Sequence, residues 1–234
     1  MTVLVRRAAA EFIGTAFLVM AVVGSGVMAS RLSPDDVGLQ LLQNSLATGA
    51  ALVALIVALQ PVSASFNPVV TLVERALGMV DTPTAAGLVT GQVLGGLAGT
   101  VAANLMFGLD AVTWSTHQRS GAPLWLGEVI ATLGLLLVIF GTVRSGRADR
   151  VAFAVGGYIT AAYWFTSSTS FANPAVTIAR TVTDTFAGIA PSSAPAFILA
   201  QLLGGAAGCV LVRFLYPSLT AASTAPAADR KVLS

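Results

Sequence analysis

The sequence predicts an all-α membrane protein. Its architecture is six transmembrane helices plus two re-entrant half-helices, arranged as an inverted 3+3 repeat. Three observations carry this. Of 234 residues, 56% are hydrophobic and only 9% are charged, against about 25% charged in a typical soluble domain. Such a chain cannot cover a water-facing surface with its own charges, so lipid is its natural solvent. Charge-free runs extend over 12–30, 37–73, 82–109, 129–143, 151–179 and 185–212, and several exceed the roughly 20 residues that cross a bilayer as a helix. Finally, one short phrase occurs twice, as Ser65-Phe66-Asn67-Pro68-Val69-Val70-Thr71 and as Ser170-Phe171-Ala172-Asn173-Pro174-Ala175-Val176-Thr177.

Taken in order, the spans are predicted at 8–30, 39–60, 84–107, 122–143, 151–166 and 194–216. They lack strict alternation and are much longer than the roughly 10 residues of a membrane strand, which excludes a barrel. Arg6 and Arg7 precede the first apolar run as in a signal peptide. The length of that run and the five spans after it argue for a true span. Pro34-Asp35-Asp36 marks a short exposed turn. The runs 37–73 and 151–179 are longer than one span needs, and each holds an Asn-Pro phrase. Asn is a strong N-cap and Pro suits the first helical position, so each phrase reads as a loop that enters and a short helix that starts. The longest loop, 108–123, carries Trp114, the single His117 and Arg119; His117 reads as solvated. The one cysteine, Cys209, lies in the last span and reads as a packing residue. It leaves no intrachain disulfide and no cysteine metal site. Residues 220–234, rich in Ala, Ser, Thr and Pro, read as a flexible tail.

The halves repeat. Glu11 and Glu128 are 117 residues apart, Asn67 and Asn173 are 106 apart, and Gln92 and Gln201 are 109 apart. Three landmarks thus recur in one order at nearly one offset. Three spans per half invert the second half in the membrane, with a pseudo-two-fold axis in the membrane plane. The expected division is 1–117, 118–219 and the tail, all within one structural domain. Gly95, Gly99, Gly204 and Gly208 follow the two glutamines at four-residue spacing, as helices need when their backbones approach closely in lipid. Arg and Lys distribute nine against three across a six-span topology, which by the positive-inside rule places both termini in the cytoplasm. The net charge of +2 is therefore a topology signal and not a nucleic-acid footprint.

Inversion brings the two Asn-Pro starts to the midplane from opposite faces. Non-helical backbone survives at that depth only inside protein or along a water-filled cavity. Each helix start carries about half a positive charge, so two facing starts repel cations and protons. The Asn67 and Asn173 amides can cap their own helices and offer donors to a passing oxygen. Glu11 and Glu128 are the acids well inside spans. Intramembrane carboxylates are costly and either functional or paired. One reading is proton coupling in a transporter; the other is acceptance of hydrogen bonds from the re-entrant backbone.

The paired phrases Asn67-Pro68-Val69 and Asn173-Pro174-Ala175, the glutamates in spans one and four and Gln-x-x-Gly in spans three and six resemble the aquaporin and aquaglyceroporin (major intrinsic protein) family over essentially the whole chain but the tail. The resemblance implies that Glu11 and Glu128 are structural, that no cofactor is bound and that the assembly is a homotetramer in the inner (plasma) membrane. It also implies a filter on the extracellular side of the Asn-Pro meeting point, commonly an aromatic, a histidine, a small residue and an arginine. Here the corresponding residues are Thr48, Ala161, Ser170 and Val176, and Arg180, one turn further along, is expected at the mouth or packed against a neighbour. The usual histidine before the first phrase is Ser65, and the stretch from Ser63 to Asn67 is one residue short of the family pattern. A small, uncharged filter implies passage of neutral solutes larger than water: glycerol, urea, or undissociated metalloid hydroxides such as arsenous acid. A bacterial branch associated with arsenic resistance looks similar, with valine in place of the arginine. The expected function is a passive channel that excludes ions and protons, and not an enzyme, since no nucleophile–base pair, phosphate loop or metal cluster appears. A proton-coupled transporter using Glu11 or Glu128 and a closed structural pore are the competing classes.

Overall fold

A computed structural model describes residues 2–217, so the predicted tail lies outside the described residues. These residues form eight α-helices. Six are long: α1 (Val3–Leu32), α2 (Val37–Leu59), α4 (Thr82–Met106), α5 (Ala122–Arg144), α6 (Val151–Phe165) and α8 (Ala194–Leu215). Two are short: α3 (Pro68–Ala76) and α7 (Pro174–Ala179), the latter extended by a 3-10 turn, Arg180–Val182. All six predicted spans and both half-helices are present. Five of the long helices are each long and apolar enough to cross a membrane alone. The exception, α6, has 15 residues, about 22 Å of helix. It stops early because the chain turns at Thr166 and runs back toward the midplane to reach Asn173.

Local signals explain the helix ends. Thr2, Asp36, Asn67, Asp81 and Asn173 each accept a first-turn backbone N–H through the side chain, filling donors a helix start otherwise leaves orphaned. Pro68, Pro83, Pro123, Pro174 and Pro195 stand in first turns, where the missing N–H costs nothing.

Pairings in one half recur in the other. α1 packs along α4 as α5 packs along α8, and the short helices α3 and α7 lie against α4 and α8. The glycine rows explain the closeness. A Cβ on Gly95 would fall on the Phe12 carbonyl, and one on Gly204 would sit 2.5 Å from the Val129 carbonyl oxygen. Position 129 follows Glu128 as position 12 follows Glu11. A further close crossing, between α2 and α6, runs through Gly49 and Gly156, whose backbones face each other. Gly95→Ala should therefore destabilise the fold by roughly 1–3 kcal/mol through forced backbone displacement. Gly157→Ala, where nothing lies within 4 Å of the added carbon, is the control. Thermal unfolding in detergent distinguishes them.

Large apolar side chains such as Phe153, Val210 and Phe214 point outward. Inside, Glu11, Asn67, Gln92, Glu128, Asn173 and Gln201 are all buried.

Candidate pore and its braces

Each half-helix begins at a residue that holds the other half. Asn67 Oδ1 accepts from Val69 N at 3.0 Å, while Asn67 Nδ2 donates to the Ala172 carbonyl at 2.7 Å. Asn173 does the same in reverse. Its Oδ1 accepts from Ala175 N at 3.0 Å, and its Nδ2 donates to the Phe66 carbonyl at 2.7 Å. A primary amide has two N–H donors. One of each pair is used in the cross-brace, and the other finds no protein acceptor among the described residues. Both asparagines line the cavity.

Phe66 and Ala172, the residues before the two asparagines, have φ of 47° and 48°. Non-glycine residues there cost roughly 1–2 kcal/mol. The surroundings impose the conformation: each residue's N–H points to a glutamate of its own half and its C=O to the asparagine of the other. Glu11 accepts from Phe66 N at 2.7 Å, Ser65 N at 2.9 Å, Ser63 Oγ at 2.6 Å and Gln92 Nε2 at 2.7 Å. Glu128 accepts from Phe171 N at 2.9 Å, Ala172 N at 2.8 Å and Gln201 Nε2 at 2.6 Å. Gln92 also donates to Thr71 at 2.9 Å, and Gln201 to Thr177 at 2.8 Å. Both glutamates are fully buried and neither lines the cavity. A carboxylate whose oxygens are occupied by N–H and O–H donors is an acceptor hub. Of the two readings of the intramembrane acids, the geometry carries the structural one, and it gives the two glutamines a role that sequence spacing had left unassigned.

A cavity of about 300 Å³ runs past the asparagines. On one side of them it is bounded by Thr48, Tyr163, Ser170, Phe171, Val176 and Arg180; on the other by Arg7, Gln60, Ser63, Ser65 and Glu74. Within the triplets Asn67-Pro68-Val69 and Asn173-Pro174-Ala175, the asparagines face it, whereas Pro68, Val69, Pro174 and Ala175 do not. Val69 instead packs on Gly205 of α8, and the Ala175 carbonyl lies against Gly96 of α4. Of the valines that follow the two Asn-Pro pairs, Val70 and Val176 face the cavity.

The filter expected from sequence is partly rearranged. Thr48, Ser170 and Val176 do line the cavity. Ala161 does not: it is exposed on the outer face of α6. Its place is taken by Tyr163, two residues on, which is about 200° around a helix of 3.6 residues per turn. Tyr163 is buried, and its hydroxyl lies 3.1 Å from Thr48 Oγ1. The miscount comes from the eight residues between α6 and α7, where Thr169 and Ser170 also adopt positive φ and change the reach of the loop.

Arg180, expected at the mouth or against a neighbour, is buried and lines the cavity, so this stretch of the wall carries a cation. Its guanidinium stacks 3.5 Å from the Phe171 ring centroid and donates through Nε to the Ala187 carbonyl. Arg119, from the 108–123 loop, lies over the same ring at 5.2 Å and donates to the Gly188 carbonyl at 2.9 Å. That loop is strapped down further: Ser115 N donates to the Thr181 carbonyl at 2.9 Å, and Thr116 N to Asp184 at 2.8 Å. His117, expected to be merely solvated, has Nδ1 3.3 Å from Asp184. The Thr116 backbone amide holds the Asp184 carboxyl below the usual carboxylate range.

A family model for major intrinsic proteins matches residues 1–166 and 145–233. The chain belongs to the major intrinsic protein family. It is 49% identical over 213 residues, 91% of each chain, to aquaglyceroporin AqpS of Rhizobium meliloti (strain 1021). It is 30% identical over 228 residues to aquaporin Z of Rhodopseudomonas palustris (strain ATCC BAA-98 / CGA009), covering 90% of this chain and 93% of that one. Its fold is shared with the crystallographic aquaglyceroporin from Plasmodium falciparum, at a TM-score of 0.72 and 19% identity over 92% of this chain and 98% of the other. Members of this family are channels and not enzymes, and the chain is a multi-pass membrane protein.

Proposed function

We propose that the protein is a passive pore for small neutral solutes: glycerol-like polyols, urea, undissociated metalloid hydroxides such as arsenous acid, and water. The observation that carries this is one cavity lined by both Asn67 and Asn173, each with an amide hydrogen left over from the brace between the half-helices. A solute oxygen passing there is held as an acceptor from both sides. A water so held cannot also donate along the axis, which interrupts the chain needed for proton hopping, and the two facing helix starts oppose cations.

The proposed filter is Thr48, Tyr163, Ser170, Val176 and Arg180. Arg180 is pulled aside by Phe171 and Ala187, and Val176 stands where the family resemblance places an arginine, so the section keeps a positive potential without a guanidinium at position 176. That supports passage of solutes larger than water while small cations are turned back. The fold is read as two half-repeats, 1–117 and 118–219. Twelve Lys and Arg distributed nine against three support cytoplasmic termini in the plasma membrane. The family resemblance supports a homotetramer with one pore per subunit.

The test is stopped-flow light scattering on proteoliposomes of one preparation with water, glycerol, urea and arsenous acid. A channel gives non-saturating flux down the solute's own gradient, and an imposed pH gradient does not drive solute uphill. Solute accumulation driven by the pH gradient returns the transporter reading, and no flux for any solute returns the closed pore.

A further inference from the structure

At the end of the cavity remote from Arg180, one acid stands out from the braces described above. Glu74, in the last turn of α3, faces the cavity together with Arg7, Gln60 and Ser65. It lies outside the six long helices. Its Oε2 accepts from Ser65 Oγ at 3.1 Å; its other oxygen takes no protein donor among the described residues. Glu74 therefore differs from Glu11 and Glu128, whose oxygens are filled by backbone and glutamine donors. It is half-buried and lines the same space through which solute would move. Ser65, its one hydrogen-bond partner, stands where the family resemblance places a histidine.

The charged groups around it are few. α1 contributes Arg7 and, deeper, Glu11. Arg75, the neighbour on α3, turns away to Thr82 at 2.8 Å. From α8, Arg213 is engaged with the Ala76 carbonyl at 2.5 Å. α4 carries no charge along its length. Arg7 makes no ion pair with Glu74 within contact distance among the described residues.

We propose that Glu74 is a specificity-determining residue of the pore: its free carboxylate oxygen binds the hydroxyl or amide donors of neutral solutes at this mouth, and its protonation state sets how readily they are admitted. The proposal rests on the reading of the cavity as a solute path. A carboxylate accepts charge-assisted hydrogen bonds roughly twice as strong as those of a neutral acceptor, so a solute with several donors gains more than water does. The same negative charge turns anions back. Burial pushes the Glu74 carboxyl up to about 7, against the opposing Ser65 hydrogen bond, with Glu11 raising it further and Arg7 lowering it. The group is thus ionised above neutrality and neutral below it. Admission of multi-donor solutes should fall as pH on this face drops through that point.

The experiment compares wild-type protein with Glu74→Gln, which keeps the shape and removes the charge, in proteoliposomes between about pH 6 and about pH 8, on either side of the carboxyl's midpoint. Wild-type glycerol flux should rise severalfold across the range while water flux changes little. The variant should hold the low-pH glycerol value throughout. Wild-type glycerol flux independent of pH, or an unchanged pH profile in the variant, overturns the proposal. A second readout needs no flux. The infrared difference spectrum between the two proteins should show a protonated-carboxyl band that fades through neutrality, and glycerol should shift the carboxylate band that replaces it. Absence of that titration or of the glycerol shift overturns the assignment of Glu74. A glycerol-sensitive titration without any solute flux leaves Glu74 a binding group and removes the channel reading instead.

Discussion

Val176→Arg is expected to cut glycerol flux at least about tenfold and to leave most of the water flux, a loss equivalent to about 1.4 kcal/mol of added barrier. Val176 lines the cavity together with Thr48 and Tyr163, whose hydroxyls lie 3.1 Å apart. A guanidinium there would project into the section that Arg180 leaves open. Arg180 cannot move far to make room, because Phe171 and Ala187 hold it. The two guanidiniums would stand about one helical turn apart. Their repulsion at an effective dielectric of 20 is about 3 kcal/mol at that distance, enough to drive the new side chain toward the axis. Water needs less width than a polyol and keeps the Asn67 and Asn173 donors. Proteoliposomes of the variant that pass glycerol and arsenous acid as before would show that position 176 is not at the constriction. Arg180→Leu probes the same section from the other direction: the pore should widen, and small cations should begin to leak, measurable as collapse of an imposed membrane potential.

Glu128→Ala should abolish accumulation of folded protein. The substitution strands Phe171 N, Ala172 N and Gln201 Nε2 in a site with no replacement acceptor. Each orphaned buried donor costs roughly 1–3 kcal/mol. Three together approach the whole stability of an ordinary domain, roughly 5–15 kcal/mol. The strained conformation of Ala172, held by the same carboxylate, would lose its anchor as well, and with it the carbonyl that braces Asn67. Glu11→Ala should behave alike, since Glu11 serves four donors. Size-exclusion chromatography in detergent and thermal unfolding read the outcome. Glu128→Gln supplies the contrast. It retains one acceptor oxygen but turns an amide toward backbone donors, so reduced stability with normal flux per folded protein is expected. A Glu128→Gln protein that folds with wild-type stability yet no longer transports would instead place the carboxylate in a proton relay.

Much of the site is legible in the sequence. Asn67 and Asn173 announce themselves because Asn-Pro is a helix-start signal whose chemistry is local, and duplication inside inverted halves leaves them nowhere to go but the midplane. Glu11 and Glu128 are visible because a charge in lipid needs a partner, although the partners, backbone amides 43 to 55 residues away along the chain, carry no side-chain signal. Gln92 and Gln201 stand out in the sequence as repeat landmarks only, since a glutamine's hydrogen-bond partner cannot be read from spacing. Ala161 shows where counting fails. Periodicity locates α6, but its rotational register against the pore depends on a loop with positive φ at Thr169 and Ser170, and an error of two residues moves a side chain to the opposite face of the helix.

The sequence by itself determined the six spans, the two half-helices, the inverted pairing and the identity of the residues at the centre, because hydropathy, helix capping and repetition are properties of short stretches of chain. Only the tertiary structure decided that Tyr163 and not Ala161 faces the cavity, that Arg180 brings a cation to its wall, and that Glu74 lines it with a free oxygen. Thr48 and Tyr163 meet across 115 residues of chain. Ala187 reaches Arg180 over seven residues and Ser65 reaches Glu74 over nine, but each contact depends on how the intervening chain turns, which no local preference encodes.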